Sequence, residues 1–150
     1  MAQSYFLYGG FVFVPLTEPY LMEWGEDWMQ DAPHDLVNLA LSGIATLDEE
    51  QPIILTRIFP SKCTAGYSGM TDRRVLSVNR EPVRNLKQMY SLVERLHRTQ
   101  SYLSFELQCV GGNAVVALDS ASADAVRDEI LATYRIPFAA SPDLLASADE

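Results

Sequence analysis

Runs of β-forming residues outnumber helical patterns along this chain, and they come grouped rather than strictly alternating with helices. Phe11-Val12-Phe13-Val14 is a continuous apolar run directly behind Gly9-Gly10, and the chain enters strand-like sequence almost at its start. Pro52 to Phe59 is the strongest strand pattern, and Arg74 to Val78 follows after a turn-rich connection. Tyr102 to Val110 and Ala114 to Asp119 flank Gly111-Gly112-Asn113, a hairpin signal. The order is strand, helical insertion, strand, strand, helix, two strands, helix. Grouped strands with few helices predict an α+β domain built as a small, partly open barrel or sandwich.

The helices announce themselves by caps and spacing. Thr17 caps a first one, with Pro19 in its opening turn. Leu21, Trp24 and Trp28 then form one apolar stripe, which predicts that both tryptophans are buried. Asp31 and Pro33 restart a helix carrying Leu36, Leu39, Ala40 and Gly43, so that 18–43 reads as a helical insertion. Asn85 caps a helix that presents Leu86, Met89, Tyr90, Val93, Leu96 and His97 on one broad face. A last helix over 121–136 is capped by Ser122, carries Val126, Ile130 and Tyr134, and stops at Pro137. From Ala139 the sequence is rich in Ala, Ser and Asp and reads as fraying, with 145–150 a disordered tail after a domain spanning 1–144.

Composition narrows the function. The 150 residues suit one domain. No stretch approaches the roughly 18 apolar residues of a membrane helix, and the N-terminus lacks the basic region of a signal peptide. A net charge of −9 argues against nucleic acid as partner. The charge is uneven: no Lys or Arg precedes Arg57, whereas the first fifty residues carry Glu18, Glu23, Glu26, Asp27, Asp31, Asp35, Asp48, Glu49 and Glu50. Such a dipolar chain can set its acidic part against a basic part of a neighbour. Cys63 and Cys109 sit in no metal or disulfide spacing and read as free thiols.

Catalytic patterns are suggested and fail. Gly66-Tyr67-Ser68-Gly69, preceded by His34 and several aspartates, has the flavour of a serine-nucleophile segment, but Met70 stands where a further glycine is needed, and a triad requires a larger scaffold. Cys63 with His34 or His97 lacks any ligand or dyad spacing. No phosphate-binding or dinucleotide fingerprint is present. The expectation is no catalytic residue, no cofactor and no metal.

Tyr8-Gly9-Gly10-Phe11-Val12-Phe13 is the segment that carries function. Glycines ahead of a strand allow successive amides to converge on a carboxylate, and an edge strand behind them can pair with an incoming peptide. The helix from Asn85 to Arg98 has an apolar arc wide enough to serve both the core and a groove beside that strand.

Gly10-Phe11-Val12-Phe13-Val14-Pro15-Leu16-Thr17, Ile53-Ile54-Leu55-Thr56-Arg57-Ile58, Gly66-Tyr67, Val75-Leu76-Ser77-Val78-Asn79, Pro82-Val83-Arg84-Asn85-Leu86 and Ile136-Pro137 with Ser141-Pro142-Asp143-Leu144 together resemble the C-terminal PDZ domain of plant and algal Deg/HtrA (Do-like) serine proteases, from about Ser4 to about Leu144. The resemblance implies a PDZ-like fold with a groove helix, a helical insertion after the first strand and an extra C-terminal helix. It implies that Gly9, Gly10 and Phe11 form a carboxylate-binding loop, that Phe11, Val12, Phe13 and Val14 pair with a peptide, and that Leu86, Met89, Tyr90, Val93 and His97 line the groove helix. By the same resemblance this is a non-catalytic module of an ATP-independent serine endopeptidase, acting in oligomer assembly and regulation. Its partners would be other Deg subunits or an internal segment of the parent chain; capture of unfolded or peptide substrates, or a stand-alone adaptor role, are the alternatives. The location implied is intracellular, in plastid or nucleus, since Glu18-Pro19-Tyr20-Leu21 and Trp24-Gly25-Glu26-Asp27-Trp28 resemble the branch assigned there. Peptide-binding relatives that prefer Ser or Thr near the ligand terminus have a histidine at the start of the groove helix; here Asn85 and Leu86 stand there and His97 lies at the far end.

Overall fold

The computed structural model describes residues 4–41, 51–61, 64, 66–109 and 111–148. Gly43, Asp48 to Glu50 and Cys63, singled out in the sequence, lie outside them. The fold is α+β: one open antiparallel sheet flanked by helices. Its strands are β1 (Phe6–Tyr8), β2 (Phe11–Pro15), β3 (Ile53–Ile58), β4 (Arg73–Val78), β5 (Glu81–Pro82), β6 (Tyr102–Leu107) and β7 (Ala114–Asp119). They run β1-β2-β3-β4-β6-β7 across the sheet, with β5 paired to β4. The helices are α1 (Glu18–Leu21), α2 (Trp28–Asp31), α3 (His34–Leu41), α4 (Leu86–Thr99), α5 (Ser120–Thr133) and α6 (Pro142–Ala148).

Alternation along the strands sorts the core onto two faces. Phe6, Tyr8, Phe11, Phe13, Ile53 and Leu55 point to one side, where they meet Leu86, Met89, Tyr90, Val93 and Phe105. The rings there interlock: Phe13 stacks on Phe105 at 5.3 Å between centroids and Phe11 meets Phe105 edge-on at 5.8 Å. On the other side Val14, Leu16 and Ile54 pack under the insertion against Tyr20, Leu21, Trp28 and Leu36. Leu7 and Phe59 pack there against Val126 and Ile130 of α5. A register shift between Val12 and Phe13 in the β2–β3 ladder marks where these two territories divide.

Local chemistry explains the element ends. The Tyr20 amide donates to Thr17 Oγ1 at 3.2 Å, and the Gln88 amide donates to Asn85 Oδ1 at 2.8 Å, so both expected caps form. Three boundaries differ from the sequence expectation. Asp119, not Ser122, caps α5, accepting from the Ala121 amide at 3.0 Å, because β7 runs directly into the helix. Asp31 closes α2 and the next helix begins only at His34, past Pro33. The expected tail is also corrected: α6 runs to Ala148, and Ala140, Ser141 and Leu144 are buried against the core. Trp28 is buried, but Trp24 is only partly buried, resting edge-on against Tyr20 at 5.5 Å.

Candidate peptide-binding groove

The glycine pair makes a two-residue hairpin turn. Tyr8 lies opposite Phe11, so Gly9 and Gly10 alone connect β1 to β2. Gly9 has φ 57°, the left-handed geometry that hairpin turns ask of glycine. Gly10 serves close approach instead: a Cβ there would stand 2.7 Å from the Phe59 carbonyl oxygen and 2.8 Å from Thr64 Cγ2. Its own carbonyl accepts from the Phe59 amide at 2.8 Å. Both glycines are buried, and the loop read as a carboxylate nest is packed at Gly10 against Phe59 and Thr64.

Phe11 to Val14 do not form an edge. β2 is paired on one side with β3 and on the other with β1, in the register Phe6 with Phe13, Leu7 with Val12 and Tyr8 with Phe11. The condition for strand addition, a free β2 edge, is therefore not met in this state. The physical reason is the two-residue turn, which returns the preceding residues directly onto the strand.

β1 also reaches the helix expected to line the groove. Phe6 meets Tyr90 of α4 edge-on, with centroids 5.1 Å apart. The Tyr8 hydroxyl lies 2.9 Å from His97 Nδ1, near the end of the same helix. His97 Nε2 lies 2.9 Å from Asp124 Oδ2 on α5, and Asp124 pairs in turn with Arg127 at 3.3 Å. A carboxylate only accepts, so Nε2 carries the proton, and in the neutral ring Nδ1 accepts from Tyr8. Leu86, Met89, Tyr90 and Val93 are buried in the core with β1 and β2. Of the residues expected at the site, Phe11, Phe13, Leu86, Met89, Tyr90 and Val93 share one core with β1, whereas Val12 and Val14 pack on the opposite face of the sheet.

The outer side of β1 is closed by the C-terminal segment. The Leu7 amide donates to the Ala139 carbonyl at 2.6 Å, the Ser141 amide donates to the Tyr5 carbonyl at 3.0 Å, and Phe6 bridges Ala140. Ser4 Oγ adds a hydrogen bond to Asp143 at 2.7 Å. As parts of the site, Phe6, Asp124 and the 139–141 segment escaped the sequence reading. The signal that could have found Phe6 is the short apolar run Phe6-Leu7-Tyr8 ahead of a two-glycine turn.

Beyond this region, a cavity of about 620 Å³ opens beneath the insertion, lined by Val12, Glu23, Trp24, Thr56, Arg57 and Asp72. The Tyr20 hydroxyl donates to Asp72 at its rim. Burial first, and this hydrogen bond second, push the Tyr20 phenol well above its ordinary range. Among the described residues no three His, Cys, Asp or Glu are placed to hold a metal ion, and no helix is long and apolar enough to cross a membrane.

A sheet strand lying beside a capped helix, with an extended segment laid along that strand, is the arrangement of domains that bind peptides at a sheet edge. The chain belongs to the PDZ domain family, whose sequence model matches residues 1–143. It is 32% identical over 142 residues to protease Do-like 2, chloroplastic, of Arabidopsis thaliana, covering 95% of this chain and 22% of that protein. Protease Do-like 4, mitochondrial, of the same plant is 32% identical over 136 residues, covering 91% and 22%. A serine protease DegP homolog of Plasmodium falciparum is 32% identical over 115 residues, covering 68% and 12%. The chain thus spans about a fifth of the length of the Arabidopsis relatives it matches. As a PDZ domain it is a non-catalytic, protein-binding module.

Proposed function

We propose that this PDZ domain serves a Do-like serine protease as an assembly and regulatory module, binding protein segments by strand pairing rather than collecting free C-termini. The observation that carries the reading is that β2 already has a partner on each side, β1 and β3. An incoming strand reaches β2 only by replacing β1, and a buried Gly9-Gly10 turn offers no open cradle to a terminal carboxylate. A neighbouring subunit or an internal segment of a longer chain, held at high local concentration, meets that demand far better than a dilute peptide does. The absence of a histidine at the start of α4 supports the same reading. The compartment we propose is an organelle, and the plastid is the one that both the sequence resemblance and a relative's name suggest.

The test is an amide-resolved NMR titration of the isotope-labelled chain with matched peptides bearing a free or an amidated C-terminus. The expected result is no preference for the free carboxylate. Tight binding lost on amidation, with shifts at Gly9 to Val14 and along α4, would favour substrate-terminus capture instead. A partner that perturbs only 18–41 would place the assembly surface on the insertion and end the groove reading.

A further inference from the structure

The strand lying on β2 also displays what that position accepts. The pleat sends Phe6 and Tyr8 toward α4 and Leu7 to the opposite face, against Val126 and Ile130. Phe6 fills a slot walled by Tyr90, at 5.1 Å edge-on, and by Phe13, at 6.1 Å. Two residues on, Tyr8 packs edge-on against His97 with centroids 5.5 Å apart and places its hydroxyl 2.9 Å from Nδ1. His97 is itself oriented by Asp124, so that Nδ1 faces the strand. A phenylalanine in place of Tyr8 would fill the same volume and leave Nδ1 without its phenol. A connection of two residues is the kind of short hinge that favours exchange of a terminal element between copies.

We propose that the place beside β2 is an exchangeable strand site selecting an aromatic residue followed two positions later by tyrosine, read by Tyr90 and His97, and that the strand entering from outside is β1 of a second copy of this chain. The inference rests on the groove reading given above and names the ligand of that same site. A second copy is the fitting occupant because its β1 supplies the matching Phe6 and Tyr8. It also supplies the Leu7 amide and Tyr5 carbonyl that the 139–141 segment binds.

Disulfide trapping tests this with whole chains. Two variants are made in a Cys63→Ser, Cys109→Ser background, one with Leu7→Cys and the other with Val12→Cys. They are mixed, unfolded, and refolded together at high concentration under mild oxidation. Leu7 lies opposite Val12 within one chain, so only an exchanged β1 brings the two cysteines of different chains together. Mixed disulfide pairs in clear excess over Leu7→Cys homopairs are expected. Mixed pairs no more abundant than homopairs would overturn the exchange. A reciprocal exchange breaks and remakes the same Tyr8–His97 bonds, so the tyrosine selection needs a separate strand. The acetylated and amidated peptide Ser-Tyr-Phe-Leu-Tyr-Gly is titrated into the labelled Tyr8→Phe chain, whose own β1 lacks the phenol, and replacing the peptide's second tyrosine by phenylalanine should weaken binding about three- to tenfold, the effect of one hydrogen bond. Shifts along β2 and α4, weakened when the peptide's second tyrosine is phenylalanine, support the proposal; no shifts overturn it. Groove shifts without that discrimination leave the reading of the site intact and sink only this inference, whereas shifts confined to 18–41 sink both.

Discussion

Gly10 shows how a single residue can be chosen for what it lacks. The atoms a Cβ would strike are a backbone carbonyl, at Phe59, and the methyl of Thr64, whose hydroxyl is tied to that same carbonyl at 2.8 Å. Neither can swing aside. Gly10→Ala should therefore cost about 1–3 kcal/mol, the usual range for overpacking, as read by urea unfolding; a neutral result would mean the turn shifts freely. Tyr20 makes a prediction in pH. Burial and the Asp72 hydrogen bond hold its folded pKa above the unfolded value of 10.0. Below pH 10 the neutral phenol is present in both states and its contribution is complete; above it the unfolded chain releases a proton that the folded chain keeps. Stability should thus decline as pH climbs past 10, and Tyr20→Phe should flatten that decline while removing the bond to Asp72. Tryptophans divide similarly. Trp28, 8% exposed, should cost about 3–5 kcal/mol on truncation to alanine, and the partly buried Trp24 distinctly less. A larger loss at Trp24 would mean it closes the cavity beside Arg57 more fully than its exposure implies.

At the scale of elements, the C-terminal helix reverses what its composition suggests. Ala-, Ser- and Asp-rich sequence reads as tail, yet Leu144 is 2% exposed and packs in the main core. Leu144→Ala should then cost about 2–5 kcal/mol, against roughly 0.5 kcal/mol or less for a frayed position. The reason it was not legible is that one leucine and one alanine make no periodic signal; their burial depends on β1 lying where 139–141 can bond to it. By contrast α4 was legible in full, since the Asn85 cap and the Leu86, Met89, Tyr90 and Val93 spacing state both where it starts and which face it buries. β1 falls between these cases. Three residues are too short to register as a strand, and only the hairpin turn and the bonds to 139–141 make them one. Deleting 138–150 should accordingly raise amide exchange at Phe6 to Tyr8 more than at β3 or β6, if the segment acts as a clasp on β1.

At the scale of the whole molecule, membership of the PDZ family makes this chain a non-catalytic, protein-binding module. The isolated chain should leave casein intact, and hydrolysis that survives repeated purification would contradict a non-catalytic module. The glutamates and aspartates at 23, 26, 27 and 31 lie exposed on the insertion and give that end of the domain its acidic character. What the sequence determined by itself was local: the α+β class from grouped strand runs, the helix starts from Thr17 and Asn85, the hairpin at Gly111-Gly112-Asn113, and the likeness to a PDZ domain from short runs in order. These follow from backbone preference and side-chain period, which act over a few residues. Only the tertiary structure decided that Phe11 to Val14 are an interior strand, that Tyr8, His97 and Asp124 meet, and that the 139–141 segment closes over β1. Those contacts join residues as far as 139 positions apart, as Ser4 and Asp143 are. They exist because the packed sheet brings its ends together, which no local pattern encodes.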